Sequence, residues 1–285
     1  MGDFSDAALV VFGHGSTLNC DSGAPVIQHA AELRQRKCFA QVQEGFWKQE
    51  PLVGDVLAGL TAPRIFLAPL FISEGYFSEN LIPAQLGFTT GGTAQLRRIQ
   101  TRGAQTFFYC RPVGTHGRMT DVLLARAREV IAKFPFPRAP LPQNITLFIV
   151  AHGTEQDSNS RAAAERQAEL IQSRGIYHDV KAVFLEEEPR VADCYELART
   201  KNIVLVPFFI SDGMHTREDI PVLLGEPQQL VQRRLRSGQP TWRNPTEKQG
   251  RLVWYSSSVG TEPLIADVIL ERVQEAAAWT ANENQ

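Results

Sequence analysis

The chain writes one segment twice. "FISEGYFSENLIP" at residues 71–83 returns as "FISDGMHTREDIP" at 209–221. The same offset of 138 relates His14 to His152, Phe46 to Phe184, Pro51 to Pro189, Pro69 to Pro207 and Ser73 to Ser211, with no gap from His14 to Pro83. Further on, "VGTHGRMTDVLLARA" from Val113 matches "VGTEPLIADVILERV" from Val259 at an offset of 146. The second copy has therefore gained eight residues in between, within "RSGQPTWRNPTEKQG" at 236–250. A repeat of this length constrains the fold more than composition does, because one architecture must be built twice. The copies are residues 1–133 and 144–285. Between them lies "FPFPRAPLPQ" (134–143), whose four prolines forbid helix and make a linker.

Each copy alternates strand and helix. In the second, "ITLFIVA", "DVKAVFL", "NIVLVPFFI" and "RLVWYSS" are short β-branched or aromatic runs suited to buried parallel strands. "SRAAAERQAELIQSRG", "PRVADCYELART" and "EPLIADVILERVQEAAA" carry apolar residues at helical spacing, and Gly175 closes the first of these helices. This succession predicts the α/β class, with two tandem doubly wound parallel-sheet domains related by internal duplication.

Composition narrows the function. A formal net charge of −2 without a basic stripe argues against nucleic acid. The four cysteines are widely spaced, with no CxxC pair, which excludes a zinc knuckle or disulfide framework and fits a reducing cytoplasm. The start, "MGDFSDAALVVFGHGS", reads as a first strand rather than a signal peptide, and no run approaches the roughly 20 apolar residues of a membrane helix.

In open α/β sheets ligands bind beyond the carboxyl ends of the strands. In the second copy His152 ends the first strand, Glu186 follows the second, and His215 follows the third. Two imidazoles and a carboxylate suit a divalent first-row metal, or proton removal near neutral pH. At the same positions the first copy keeps His14 but has Lys48 and Phe77. The full polar set exists only in the second half, which is expected to carry the one active site. Within "EEE", Glu187 and Glu188 remain alternatives to Glu186. Strand alternation puts Glu188 on the face of Glu186, yet Glu188 also matches Glu50 beside the shared proline. His116, in the "VGTH" turn, is a further candidate for the site.

The motifs "VFGHGS" and "VAHGT" combined with "FLEEEP" and "PFFISDGMHTREDIP" resemble the sirohydrochlorin cobalto- and ferrochelatases of the CbiX type, which are class II chelatases. The resemblance covers nearly the whole chain and is to the long, fused form, in which a tandem copy reproduces the dimer of a short form. A monomer is therefore expected. The resemblance implies insertion of Co²⁺ or Fe²⁺ into a tetrapyrrole without ATP or an organic cofactor, in cobalamin or sirohaem biosynthesis. By that carry-over His152 and His215 hold the metal or take the pyrrole protons, and Glu186 completes the metal site or relays a proton. Arg217 and Arg161 are the nearest guanidinium candidates for the tetrapyrrole carboxylates. Backbone N–H groups of the helix beginning near Asn159 are another.

Two other functions compete. HG[ST] occurs in phosphohistidine enzymes, but that family has Arg before the His, where Gly13 and Ala151 stand here. A non-catalytic carrier of metal or tetrapyrrole derived from the chelatase fold is the main alternative. For Phe77 and Lys48, decay of an unused site competes with an apolar surface for a flat macrocycle and a cation for a carboxylated substrate.

Overall fold

The computed structural model describes residues 2–17, 20–89, 95–153 and 158–279. Its contacts divide the chain into two compact units. One comprises Met1–Met119 with Pro263–Gln285, and the other Thr120–Glu262.

The first unit is built on a five-stranded sheet of β1 (Phe4–Gly13), β2 (Phe39–Phe46), β3 (Arg64–Pro69), β4 (Ile99–Arg102) and β5 (Gln105–Tyr109), in the order β2-β1-β3-β5-β4. The second repeats it with β6 (Ile145–Ala151), β7 (Asp179–Phe184), β8 (Asn202–Pro207), β9 (Thr246–Lys248) and β10 (Arg251–Tyr255), in the order β7-β6-β8-β10-β9. Four strands of each sheet are parallel, and the edge strands β4 and β9 run antiparallel. Both sheets thus have the expected α/β plan, with an antiparallel edge that the sequence pattern did not reveal. β6 is buried at all seven residues, as a central strand covered on both faces must be. Fully burying each of its Val, Ile, Leu and Phe side chains contributes about 1.5–3 kcal/mol.

The predicted helix in "PRVADCYELART" shortens to a 3-10 turn at Val191–Asp193 and one helical turn at Cys194–Leu197. The second unit adds a helix at Gln228–Arg236, between the repeated turn and β9. The Pro-rich segment contains a single 3-10 turn, Pro142–Asn144. Gly175, at φ +62°, follows the helix Ser158–Ser173.

The last helix of each sequence copy belongs to the unit whose sheet comes from the other copy. Helix Ile265–Ala277 packs on β3, β5 and helix Ala24–Arg36 of the first unit, with Arg36 paired to Asp267 at 2.5 Å. In the second unit, the helix ending at Lys133 donates from Thr120 Oγ1 to Gln167 Oε1 at 2.7 Å, and Asp121 pairs with Arg174 at 2.6 Å. The Trp254 indole N–H donates to the Phe134 carbonyl at 2.9 Å.

One buried arginine on each of these helices clamps the repeated "VGT" turn. Arg126 donates to the Ser258 carbonyl at 2.9 Å and to Thr261 Oγ1 at 2.6 Å. Arg272, its equivalent at offset 146, donates to the Pro112 carbonyl at 3.1 Å and to Thr115 Oγ1 at 2.7 Å. The clamped turn must lie close against the segment carrying the opening motif. A Cβ on Gly260 would stand 1.6 Å from the Ile210 carbonyl oxygen, so only glycine fits there.

Candidate functional site

The strand order β7-β6-β8 places the chain reversal of the doubly wound plan at the carboxyl end of β6, where ligands bind in such sheets. His152 is the first residue beyond β6. Gly153 follows at φ +63°, and a Cβ there would meet the Phe184 Cβ at 2.7 Å, so the chain can leave the strand this way only through glycine. The His152 carbonyl accepts from the amides of Leu185 and Glu186 at 3.1 and 3.3 Å. That backbone link holds the end of β6 beside the loop after β7 and brings Glu186 Oε1 to 3.7 Å from His152 Nε2.

His215 comes from the turn after β8. The turn opens a π-helical segment, His215–Asp219, that continues into a helical turn at Ile220–Leu223. π-Helical turns are rare and concentrate at functional sites. Tyr255, on β10, supports this one from beneath, its buried hydroxyl donating to the Thr216 carbonyl at 2.7 Å. Asp212 braces its start by accepting from the Ser258 amide at 2.9 Å. The supported ring of His215 meets that of His152 edge to face, with centroids 4.9 Å apart. On its other edge, His215 Nδ1 lies 2.6 Å from Asp219 Oδ2.

The three predicted residues therefore converge: His152, Glu186 and His215 all lie at one end of one sheet. His152 is half-buried, and its Nδ1 is buried with no hydrogen-bond partner among the described residues. Burial lowers its pKa below the ordinary imidazole value, with Glu186 pulling it up and His215 pushing it down. His152 is thus an uncharged imidazole across the neutral range. Glu186 and His215 are exposed. Among the described residues, no three His, Cys, Asp or Glu side chains are closed up into a cage that could hold a metal ion.

Of the other two glutamates, Glu187 is engaged through its carboxylate and Glu188 through its backbone carbonyl. Glu187 pairs with Arg161 at 2.9 Å, and the same guanidinium takes the Glu188 carbonyl at 2.9 Å and Glu165 at 3.0 Å. It also lies over the Phe184 ring, 4.8 Å from the centroid. Arg161 thereby organises the glutamate loop. The exposed Arg217 lines a cavity of about 430 Å³ with Lys133, Thr216, Trp242 and Tyr255. The helix near Asn159 begins at Ser158, and the loop leading into it, 154–157, lies outside the described residues.

The first unit keeps the frame and changes the chemistry. The Lys48 amide donates to the His14 carbonyl at 2.9 Å, and Tyr109 donates to the Ser78 carbonyl at 2.8 Å, as their counterparts do in the second unit. The side chains form an aromatic cluster instead. His14 lies edge to face with Phe77 at 5.2 Å and with Trp47 at 5.1 Å, and Lys48 Nζ sits 4.5 Å from the Trp47 ring centroid. Glu79, at the position of Arg217, pairs with the buried Arg98 at 2.5 Å, and burial pushes its carboxyl up to about 7. His116 faces the helix Ile265–Ala277, with Nε2 3.3 Å from Glu275 and 3.5 Å from Glu271.

Sequence reasoning missed Asp219 and Tyr255. A signal for each was present, since Asp219 aligns with Leu81 in the first copy and Tyr255 aligns with Tyr109.

Known proteins are similar to this chain along most of its length. A probable sirohydrochlorin cobaltochelatase of Halobacterium salinarum is 40% identical over 281 residues, covering 95% of this chain and 92% of the relative. Among solved structures, a multi-domain protein of Deinococcus radiodurans with structural similarity to chelatases superposes with a TM-score of 0.75 at 28% identity, covering 97% of this chain and 55% of that one. SirB from Bacillus subtilis with Fe³⁺ shares the fold, with a TM-score of 0.65 at 18% identity and 98% coverage of both chains. The CbiX family profile matches twice, at residues 8–130 and 146–276, and on these grounds the chain belongs to the CbiX family.

Proposed function

We propose that the protein is a metal chelatase that inserts Co²⁺ or Fe²⁺ into sirohydrochlorin without ATP, in cobalamin or sirohaem biosynthesis, with its working site in the second unit. The observation that carries this is the pairing of His152 and His215, ring centroids 4.9 Å apart, with Glu186 3.7 Å from His152. Metallation must remove pyrrole N–H protons while delivering a cation. An uncharged imidazole does either task near neutral pH. Imidazole nitrogen also holds Fe²⁺ and Co²⁺ with intermediate affinity, which suits an ion that must be handed on.

In this reading His152 and His215 receive the metal or the protons, and Glu186 completes the ligand set or relays a proton outward. The metal is a substrate, so an open pair of histidines serves better than a closed four-ligand cage. Arg217 is the candidate for a tetrapyrrole carboxylate, whereas Arg161 acts through the glutamate loop it binds. The cobaltochelatase name of the 40% identical relative favours Co²⁺.

The test is an anaerobic absorbance assay of sirohydrochlorin with Co²⁺ and Fe²⁺. His152→Ala and His215→Ala should each slow metallation by about 100-fold or more while sirohydrochlorin binding persists. Binding of sirohydrochlorin by the unaltered protein with no acceleration above the spontaneous rate would establish a carrier and reject the chelatase.

A further inference from the structure

The His215 ring carries a partner that the proposed chemistry has not used. Asp219 Oδ2 lies 2.6 Å from His215 Nδ1, a short charge-assisted contact across one π-helical turn. Exposed histidine–carboxylate pairs at this spacing are common on helices and stabilise them little. The internal duplication supplies a control against that reading. At the offset of 138, Phe77 stands for His215 and Leu81 for Asp219, so acceptor and ring are replaced together. Both turns are π-helical and held alike, because Tyr109 and Tyr255 make the same hydroxyl-to-carbonyl bond to them. A carboxylate needed only to shape the turn would be needed in both units. It is present only where there is an imidazole to hold.

We propose that Asp219 is a positioning residue for His215, accepting the Nδ1–H hydrogen bond and so keeping the Nε2 lone pair available for a metal or a proton. A neutral imidazole has one N–H and one lone pair, and a partner on one nitrogen decides the role of the other. Carboxylates behind metal-binding histidines act in this way, fixing tautomer and ring orientation. The role of the freed lone pair rests on the chelatase reading, whereas the tautomer assignment does not.

The experiment separates the two. Long-range ¹H–¹⁵N spectra of the metal-free protein at pH 8 report which His215 nitrogen carries the proton. The unaltered protein should hold Nδ1–H. In Asp219→Leu, the residue the first unit already accommodates, His215 should shift toward Nε2–H with the thermal transition little changed. Co²⁺-dependent metallation should fall about 10- to 100-fold, and Asp219→Glu should recover most of it. An Nε2–H tautomer in the unaltered protein, or one unaffected by Asp219→Leu, overturns the proposal. If the tautomer shifts as expected but neither protein metallates sirohydrochlorin, the positioning role stands and the chelatase function fails.

Discussion

His152 and His215 meet edge to face at 4.9 Å and 82°, and in the other unit His14 and Phe77 keep the same arrangement at 5.2 Å and 89°. The duplicated frame therefore presents a second ring at the same place in both units, and only its chemistry differs. Restoring the polar residues should restore a site. Phe77→His with Lys48→Glu and Leu81→Asp is expected to raise Co²⁺ binding from one ion per chain to two. Titration calorimetry checks this, and stoichiometry unchanged at one would mean that the first frame has lost more than its side chains.

The pH dependence follows from His152. Burial holds its imidazole below the ordinary value of 6.5. The His152 ring should therefore gain its proton only below pH 6.5. Glu186 opposes the burial effect, so Glu186→Gln should move that titration further to the acid side, besides slowing metallation. Stability has the same sign. Between the folded pKa and 6.5 the unfolded chain binds a proton that the folded chain refuses, so this contribution is complete above 6.5 and lost as pH falls through the folded value. An NMR titration of the His152 ring from pH 5 to 8 provides the check, and a midpoint above 6.5 would contradict the buried, uncharged imidazole.

Gly260→Ala should be severe although it touches no candidate ligand. The new Cβ would fall 1.6 Å from the Ile210 carbonyl oxygen, in the segment that leads to His215. Accommodation requires the two turns to separate, at a cost of about 3 kcal/mol or more. A lowered urea midpoint together with metallation lost beyond the unfolded fraction is expected. Gly213→Ala, whose Cβ would meet nothing within 4 Å, serves as the control.

The arginine clamps should act on separate units. Arg126→Ala leaves the Ser258 carbonyl and Thr261 hydroxyl without their buried donor, and Arg272→Ala does the same at Pro112 and Thr115. Each should cost about 2–3 kcal/mol. Hydrogen exchange is expected to rise around 256–262 for the first substitution and around 110–116 for the second. Equal effects on both turns from either substitution would contradict two units with separate clamps.

The duplication was legible because a constant offset survives wherever backbone geometry demands one residue type, as at Gly15 and Gly153, both at positive φ against the neighbouring strand end. His152, Glu186 and His215 were legible because strand order alone brings the ends of three adjacent strands together. The exchange of the last helices was not. "DVLLARA" and "DVILERV" have the same apolar pattern, and nothing local states which sheet either will cover. The edge strands escaped because three or four half-exposed residues, such as "TEK", carry no period. Arg161 looked like a ligand donor because its partners Glu187 and Glu188 stand 26 and 27 residues away and meet it only after folding.

The exchanged helices also set an order of assembly during synthesis. The unit containing His152 and His215 is one uninterrupted stretch, Thr120–Glu262, and can fold as soon as that stretch has left the ribosome. The unit containing His14 cannot. Although its sheet is made first, the faces of β3 and β5 that receive helix Ile265–Ala277 stay uncovered until that helix has itself been translated. The sheet that carries His14 is thus made before the second unit and completed after it, and the interval in between is when a nascent chain most needs protection from aggregation.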